Sequence, residues 1–214
     1  MNPALAHTAL LIIDMQRDFC APGGYADQAG LDIERLRAPI EPIRQLLVAA
    51  RRCGLFIAHT REGHRADLSD LPETKRRRAE ASGAPIGTPG PMGRLMVRGE
   101  YGNDLIDELQ PEAGEPVIDK PGYSAFAHTD LELLLRNRGI GQLILTGVTT
   151  EVCVSSTLRH AVDLGFSCLT VADACGSAYP ALHAAALSMI GVEGGLFGEV
   201  ITSDALIALL EMPA

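Results

Sequence analysis

Three side chains that together could form a nucleophilic site each follow a short strand-like segment of the chain. Asp14 comes directly after the apolar residues 9–13, and Lys120 comes two residues after the segment 116–118. Cys153 follows another such segment and a glycine-containing turn. A thiol becomes a good nucleophile when a base removes its proton and a nearby cation stabilises the thiolate. The three residues therefore predict covalent cysteine chemistry if the fold brings them together.

Each of the three residues also has a simple structural alternative. Asp14 could cap a helix or form a loop salt bridge, Lys120 could be a solvated charge, and Cys153 could be a packing residue. The position of Cys153 favours the functional interpretation, because it lies where a strand and a turn give way to a helix. At a helix N-terminus the macrodipole and the free N–H groups stabilise a thiolate and can bind an oxyanion.

Apolar segments alternate with helical patterns along the whole chain. Each apolar segment has the length of one buried strand. The segments are residues 9–13, 55–58, 116–118, 142–145, 168–172 and 200–202. This alternation predicts an α/β doubly wound fold, a mainly parallel sheet with helices on both faces. Ligands of such sheets bind beyond the carboxyl ends of the strands, where Asp14, Lys120 and Cys153 are expected.

Chain length and composition predict one domain over residues 1–214. A chain of 214 residues, 47% of them hydrophobic, can form one core, because single cores grow to roughly 250 residues before chains split. Residues 63–99 are rich in Pro, Gly and Arg, and we interpret them as a long surface excursion that could act as a lid. Within it, the basic run 75–78 predicts a solvated helix face.

The net charge and the cysteine pattern restrict the classes of function. A net charge of −9 argues against nucleic acids and anionic membranes as partners, because both are bound through Lys and Arg. No apolar stretch approaches the roughly 20 residues that span a bilayer, and no signal peptide is recognisable. Five cysteines without CxxC spacing fit a reducing compartment. We expect a cytoplasmic protein that acts on a small molecule.

Three motifs of this chain resemble the signature segments of isochorismatase-like cysteine hydrolases. They span most of the chain and occur in the order found in that family. The motifs are Asp14-Met15-Gln16-x-x-Phe19, Lys120-Pro121 and Gly147-Val148-Thr149-Thr150-x-Val152-Cys153-Val154. The resemblance implies a six-stranded parallel sheet and a catalytic triad of Asp14, Lys120 and Cys153.

The resemblance also implies how such a site works. A cis peptide bond between Val148 and Thr149 would aim the N–H groups of Thr149 and Cys153 into an oxyanion hole. Asp14 would take the thiol proton, Lys120 would stabilise the thiolate, and water would hydrolyse a thioester acyl-enzyme. Neither a metal nor another cofactor is implied. Family members commonly form homodimers or homotetramers.

Further segments resemble biuret hydrolases and related ureide amidohydrolases. These segments are residues 59–65, 67–68, 70–72, 89–91, 119–122 and 147–155. Biuret hydrolases carry Gln where this chain has Glu193, and a carboxylate only accepts hydrogen bonds whereas Gln also donates them. Glu193 and Phe19 are therefore predicted to bind the substrate. Biuret is one predicted substrate, and Glu193 would favour one with more N–H donors, such as triuret.

Other activities fit parts of the same sequence. Residues 120–126 also resemble ureidoacrylate amidohydrolases, and N-carbamoylsarcosine amidase is a further small-amide alternative. Nicotinamidases add a metal site with a DxH motif and a second His, which Glu62-Gly63-His64 matches only in part, and residues 65–71 contain no His. This difference favours a metal-free enzyme. A noncatalytic binding protein with this fold would be expected to lack a triad residue, and none is missing.

Overall fold

A sheet of six parallel strands forms the centre of the protein. The computed structural model describes residues 6–212. The strands are β1 (Thr8–Ile13), β2 (Phe56–Glu62), β3 (Pro89–Gly90), β4 (Gly93–Arg94), β5 (Val117–Lys120), β6 (Gln142–Val148), β7 (Ser167–Gly176) and β8 (Glu199–Ile201). The order in the sheet is β5-β2-β1-β6-β7-β8, and β3 and β4 form a separate antiparallel pair.

Helices cover both faces of the six-stranded sheet. The α-helices are α1 (Arg17–Cys20), α2 (Tyr25–Gln28), α3 (Ile33–Arg37), α4 (Ile40–Cys53), α5 (Glu73–Ala81), α6 (Leu131–Asn137), α7 (Ser155–Asp163), α8 (Pro180–Ser188), α9 (Val192–Gly195) and α10 (Ser203–Leu210). A 3-10 turn covers Asp107–Leu109, and a π-helical turn, Thr150–Val154, directly precedes α7. None of the helices within residues 6–212 combines the length and the apolar character needed to cross a membrane.

The central strand β1 shows why the sheet is covered on both sides. All six of its residues are buried, and successive side chains point to opposite faces. Leu10 and Ile12 join a core that α4 and α10 complete, whereas Leu11 and Ile13 join a second core with α6 and α7. A strand buried on both faces must be apolar throughout, as this one is. The predicted α/β doubly wound fold with six parallel strands is confirmed.

Strand β2 extends further than its apolar residues predict. The predicted strand ends at Ala58, but the observed one continues to Glu62 because it pairs with β5 from His59 onwards. In this register Glu62 lies opposite Lys120 at the carboxyl end of both strands. The polar end of β2 thereby becomes a buried part of the sheet.

The excursion over residues 63–99 packs against the carboxyl end of the sheet. It contains α5 and the β3–β4 pair. The His64 N–H donates to the Met96 carbonyl at 2.8 Å, and the Met96 N–H donates to the Asp18 carboxylate at 2.9 Å. These bonds tie both ends of the excursion to each other and to α1. Movement of this segment as a lid stays a prediction.

Gly147, at the end of β6, occupies a position that accepts no side chain. Its φ is +107°, and a Cβ placed on it would lie 2.0 Å from the Ile13 carbonyl oxygen of β1. We expect Gly147→Ala to lower the free energy of unfolding by about 2 kcal/mol or more, because both the backbone and the strand contact would be strained. Urea denaturation measures this change. Gly141→Ala is the control, since its Cβ would meet no atom within 4 Å; equal stability of the two variants would contradict the expectation.

Candidate active site

A cavity of approximately 320 Å³ lies beyond the carboxyl ends of β2 and β6. This volume suits a small molecule, and apolar walls with a few polar groups are typical of such sites. Its lining residues are Phe19, Tyr25, Leu31, Glu62, Lys75, Arg78, Ala79, Ser82, Ile86, Met96, Tyr123, Thr149, Val152 and Cys153.

The structure brings Asp14, Lys120 and Cys153 together beside this cavity. Asp14 directly follows β1, Lys120 is the last residue of β5, and Cys153 lies in the π-helical turn after β6. The Lys120 Nζ is 2.7 Å from the Asp14 Oδ2 and 3.5 Å from the Cys153 Sγ. The Lys120 and Asp14 side chains are fully buried, and Cys153 is 4% exposed. The thiol is therefore the member of the group that faces the cavity.

The backbone and one hydroxyl group fix the carboxylate of Asp14. Asp14 has a φ of 54°, in the left-handed region that Asp tolerates better than most residues. Its N–H donates to the Thr60 carbonyl of β2 at 3.2 Å. The Thr60 hydroxyl donates to the Asp14 Oδ1 at 2.6 Å, which leaves the Oδ2 directed to Lys120.

Glu62 is a fourth member of the site, and the interpretation of the sequence missed it. The Cys153 thiol donates to the Glu62 Oε2 at 3.2 Å, and the Lys120 Nζ lies 3.4 Å from the same oxygen. The Gln16 amide accepts from the Glu62 N–H at 2.7 Å and donates to its carbonyl at 3.0 Å. In the sequence, Glu62 belongs only to a partial metal motif, Glu62-Gly63-His64. The signal that could have identified it is its register with Lys120.

Lys75 corrects the prediction for the basic run 75–78. Arg77 and Arg78 are exposed as expected, but Lys75 is buried and lines the cavity. Its Nζ lies 2.5 Å from the Glu62 Oε1 and donates to the Pro121 carbonyl at 2.8 Å. Lys75 lies one helical turn before the buried Ala79, so both side chains belong to the face of α5 that packs inwards.

The turn that carries Cys153 begins with an unusual backbone. The peptide bond between Val148 and Thr149 is cis. Thr149 and Cys153 both line the cavity, and Thr150 donates its hydroxyl proton to the Gly176 carbonyl at 3.0 Å. The two residues assigned to an oxyanion hole therefore border the same space. Their role in binding an oxyanion stays a prediction.

Burial and the two lysines set the protonation of the acidic groups. Burial raises the pKa of the Asp14 carboxyl, Lys120 opposes this shift, and Glu62 adds to it. Burial also raises the pKa of the Glu62 carboxyl, but Lys120 and Lys75 outweigh it and lower that pKa to about 2. Glu62 is therefore ionised at neutral pH.

The Cys153 thiol is protonated at rest. Burial raises its pKa well above the usual value, Lys120 opposes the shift, and the negative charges of Glu62 and Asp14 add to it. Burial disfavours the charged form of Lys120 too, but attraction to Asp14 and Glu62 raises the pKa of its ammonium group. The helix N-terminus alone does not ionise the Cys153 thiol, so nucleophilic attack by this sulfur needs a base.

Potential metal ligands in this site already surround a cation. One ligand atom each of Asp14, Glu62 and Cys153 lies within 4.8 Å of the others. The Lys120 Nζ is 2.7, 3.4 and 3.5 Å from their respective atoms, so its ammonium group takes the central position. His64, the other candidate ligand, does not belong to this group of ligand atoms; its Nδ1 contacts Asp70 at 3.2 Å. This donor set does not fit a metal while Lys120 is charged.

The two predicted substrate-binding residues lie in different places. Phe19, at 9% exposure, lines the cavity. Glu193 is exposed and does not line it. Its backbone and that of Gly194 adopt left-handed conformations in α9. The substrate contact predicted for Glu193 is therefore not made by the cavity that a single chain forms.

Comparison with known proteins agrees with this geometry. The isochorismatase domain profile matches residues 8–205. The chain is 38% identical over 176 residues to the ureidoacrylate amidohydrolase RutB of Serratia proteamaculans, covering 81% of this chain and 71% of the relative.

Solved structures of similar proteins have the same fold. A cysteine hydrolase from Pseudomonas syringae pv. phaseolicola superposes with a TM-score of 0.82 at 27% identity, covering 99% of this chain and 94% of the other. N-carbamoylsarcosine amidase from Thermoplasma acidophilum gives a TM-score of 0.70 at 25% identity, covering 92% and 96%. The chain therefore belongs to the isochorismatase family, and it is a hydrolase of carbon–nitrogen bonds other than peptide bonds.

Proposed function

We propose that this protein is a cysteine amidohydrolase that cleaves a carbon–nitrogen bond of a small ureide. The observation that carries the proposal is the buried Asp14–Lys120–Cys153 group at the end of a cavity of approximately 320 Å³. Lys120 contacts both Asp14 and Cys153, and a carboxylate oxygen of Asp14 lies within 4.8 Å of the Cys153 sulfur. A nucleophile, a base and a fixed cation are the set that acyl transfer through sulfur requires.

In the proposed reaction Asp14 takes the proton of the Cys153 thiol. The raised pKa of the Asp14 carboxyl supports this role, because a carboxylate with a higher pKa is a stronger base. The thiolate, stabilised by Lys120, attacks the carbonyl carbon and forms a tetrahedral oxyanion. N–H groups of Thr149 and Cys153 bind that oxyanion. The carbon–nitrogen bond then breaks, and the departing amine takes the proton held by Asp14.

Water completes the proposed cycle. The acyl group remains on Cys153 as a thioester after the amine leaves. Asp14, again a carboxylate, removes a proton from water, whose oxygen attacks the thioester carbonyl. The sulfur–carbon bond breaks, sulfur recovers its proton from Asp14, and the acid is released.

Glu62 supports a ureide as the substrate. A ureide presents several N–H donors around the reacting carbonyl, and an ionised carboxylate offers only acceptors. Glu62 is ionised, 4% exposed and in contact with the Cys153 thiol. We assign it to bind substrate N–H groups, a contact that orients the carbonyl towards the sulfur. Phe19 supplies an apolar wall beside them.

The choice among ureides rests on the relatives and on Glu193. Two relatives, 38% and 37% identical to this chain, are ureidoacrylate amidohydrolases. The prediction of biuret or triuret depended partly on Glu193, which lies outside the cavity of a single chain. Ureidoacrylate is therefore the first substrate to test, and biuret and triuret follow.

We also propose a homo-oligomer in the cytoplasm. Helix α8 has no buried residue, although it consists largely of Ala and Leu. Large apolar side chains are exposed on and after it: Leu182, Met189, Val192 and Leu196. An apolar surface of this kind is typical of a contact between copies. The five cysteines are unpaired and suit a reducing compartment.

Ammonia release from a panel of amides tests the proposed function. The panel contains ureidoacrylate, biuret, triuret, N-carbamoylsarcosine and nicotinamide. We expect release from one or more of the ureides and none above background from nicotinamide, because biuret, triuret and ureidoacrylate present N–H groups on both sides of the reacting carbonyl, whereas nicotinamide presents them on one side only. Cys153→Ser, Asp14→Asn and Lys120→Ala should each lower kcat about a thousandfold or more.

Cys53→Ser is the matched control for the nucleophile. Cys53 donates to the Leu210 carbonyl on another part of the protein, and a serine hydroxyl preserves that bond. Circular dichroism checks that each variant folds. Lys120→Ala leaves two buried carboxylates without their cation. If this variant does not fold, the activity of Cys153→Ser decides the test. Full turnover by folded Cys153→Ser would contradict the nucleophile assignment.

Glu62→Gln should lower the pKa of the Cys153 thiol. The Glu62 charge raises that pKa, so its removal stabilises the thiolate, and the freed charge of Lys75 acts in the same direction. We expect the alkylation of Cys153 by iodoacetamide, followed by mass spectrometry across pH, to shift to lower pH by about one to three units. Glu73→Gln, on the exposed surface of α5, is the control. A profile that is unchanged or shifted upwards would disprove this role of Glu62.

Sedimentation velocity tests the oligomer. We expect a dimer or a tetramer for the wild-type protein. Leu182→Asp should shift it towards monomer, because the substitution places a charge on the apolar surface of α8. Leu133→Asp, on α6, is the control, since Leu133 is 61% exposed on a different helix. A monomeric wild-type protein would rule out the proposed assembly.

A further inference from the structure

We propose that Arg78 binds a carboxylate group of the substrate and selects ureides that carry one. This inference rests on the proposed ureide hydrolase function and names the substrate class within it. Three features of the cavity support it: the helix face to which Arg78 belongs, the lack of an ion-pair partner for its charge among residues 6–212, and the hydrogen-bond acceptors of Glu62 at the reacting end.

Helix α5 presents one face to the cavity. The residues on that face recur every three or four positions, the spacing of one side of a helix. They are Lys75, Arg78, Ala79 and Ser82, the last capping the helix. Lys75 is buried next to Glu62, whereas Arg78 is exposed. Arg78 therefore lies at the solvent side of the cavity and Lys75 at its inner side.

The charges in the cavity leave one cation without a partner. The ionised lining groups are Glu62, Lys75 and Arg78, and Glu62 and Lys75 form a pair at 2.5 Å. Neighbouring Arg77 is paired with Glu73 at 2.8 Å. Within residues 6–212, by contrast, no carboxylate pairs with Arg78. In a chain with a net charge of −9, this cavity lining is net positive.

A carboxylate is the group that fits this arrangement. The guanidinium group of arginine binds carboxylates through two parallel hydrogen bonds, which fix orientation as well as charge. At the inner end, the carboxylate oxygens of Glu62 can accept N–H donors, and the charge of Glu62 is already balanced by Lys75. Hydrogen-bond acceptors at one end and an unpaired cation at the other therefore orient a ureide with its N–H groups at Cys153 and its carboxylate at Arg78. Apolar side chains such as Phe19, Ile86 and Met96 line the space around it.

The test compares Arg78→Gln with Arg77→Gln on two ureides, one with a carboxylate and one without. We expect Arg78→Gln to lower kcat/KM for ureidoacrylate about tenfold or more, mainly through KM, and to leave kcat/KM for biuret unchanged. Arg78→Lys should give an intermediate kcat/KM for ureidoacrylate, because lysine keeps the charge but cannot form two parallel hydrogen bonds. Arg77→Gln should leave kcat/KM for both ureides unchanged. Equal effects of Arg78→Gln on both ureides, or no effect, would overturn the proposal.

Binding measurements separate this proposal from the proposed function. In the inactive Cys153→Ala background, calorimetric titration with ureidoacrylate reports affinity without turnover. A Kd at least about tenfold weaker when Arg78→Gln is added supports the role of Arg78, even if the wild-type protein hydrolyses no ureide. An unchanged Kd, or no binding in either background, overturns it. Absence of ammonia from every ureide would instead refute the proposal that the protein hydrolyses ureides.

Discussion

The buried ion pair between Lys120 and Asp14 is the interaction on which the rest of the site depends. The two groups are 2.7 Å apart and fully buried, and burying an ion costs several kcal/mol unless its neighbours compensate. Here Lys120 also donates to the Gly122 carbonyl at 3.0 Å, and Thr60 donates to Asp14 at 2.6 Å. Asp14 follows β1, Thr60 lies in β2 and Lys120 ends β5, so the pair forms only when these neighbouring strands are in register. The same register places Glu62 beside Lys120.

A second ion pair extends this constraint to the excursion. Lys75 reaches Glu62 at 2.5 Å, so α5 is joined to the end of the sheet by opposite charges rather than by apolar packing alone. The Asn103 amide donates to the Glu62 carbonyl at 2.8 Å, and Gln16 bonds to both residues. Segments distant in sequence thus converge on one glutamate. Helix α5, which carries Arg78, is held in place by the same charges that surround Cys153.

Part of this arrangement could be predicted from the sequence because its signals are local. Apolar runs identify the strands, and polar residues at their ends, such as Asp14, identify the edge where a site forms. Glu62 and Lys75 gave no such signal, because each belongs to a polar run that also fits exposed surface. Only the pairing of β2 with β5 reveals that Glu62 is buried, and only the inward face of α5 reveals that Lys75 is buried. Glu193 was inferred from resemblance alone, and a resemblance in sequence does not specify which side chains border one cavity.

The charges around the nucleophile explain why a neutral thiol is the resting form. Asp14 and Glu62 carry two negative charges, Lys120 and Lys75 carry two positive ones, and a neutral Cys153 leaves the buried group balanced. Transfer of the thiol proton to Asp14 keeps this balance, since it moves one negative charge from oxygen to sulfur beside the same ammonium group. Ionisation by loss of a proton to solvent would instead add an uncompensated buried charge, which is costly. A base inside the site is therefore a physical requirement of the proposed chemistry, and Asp14, in contact with Lys120, is placed to meet it.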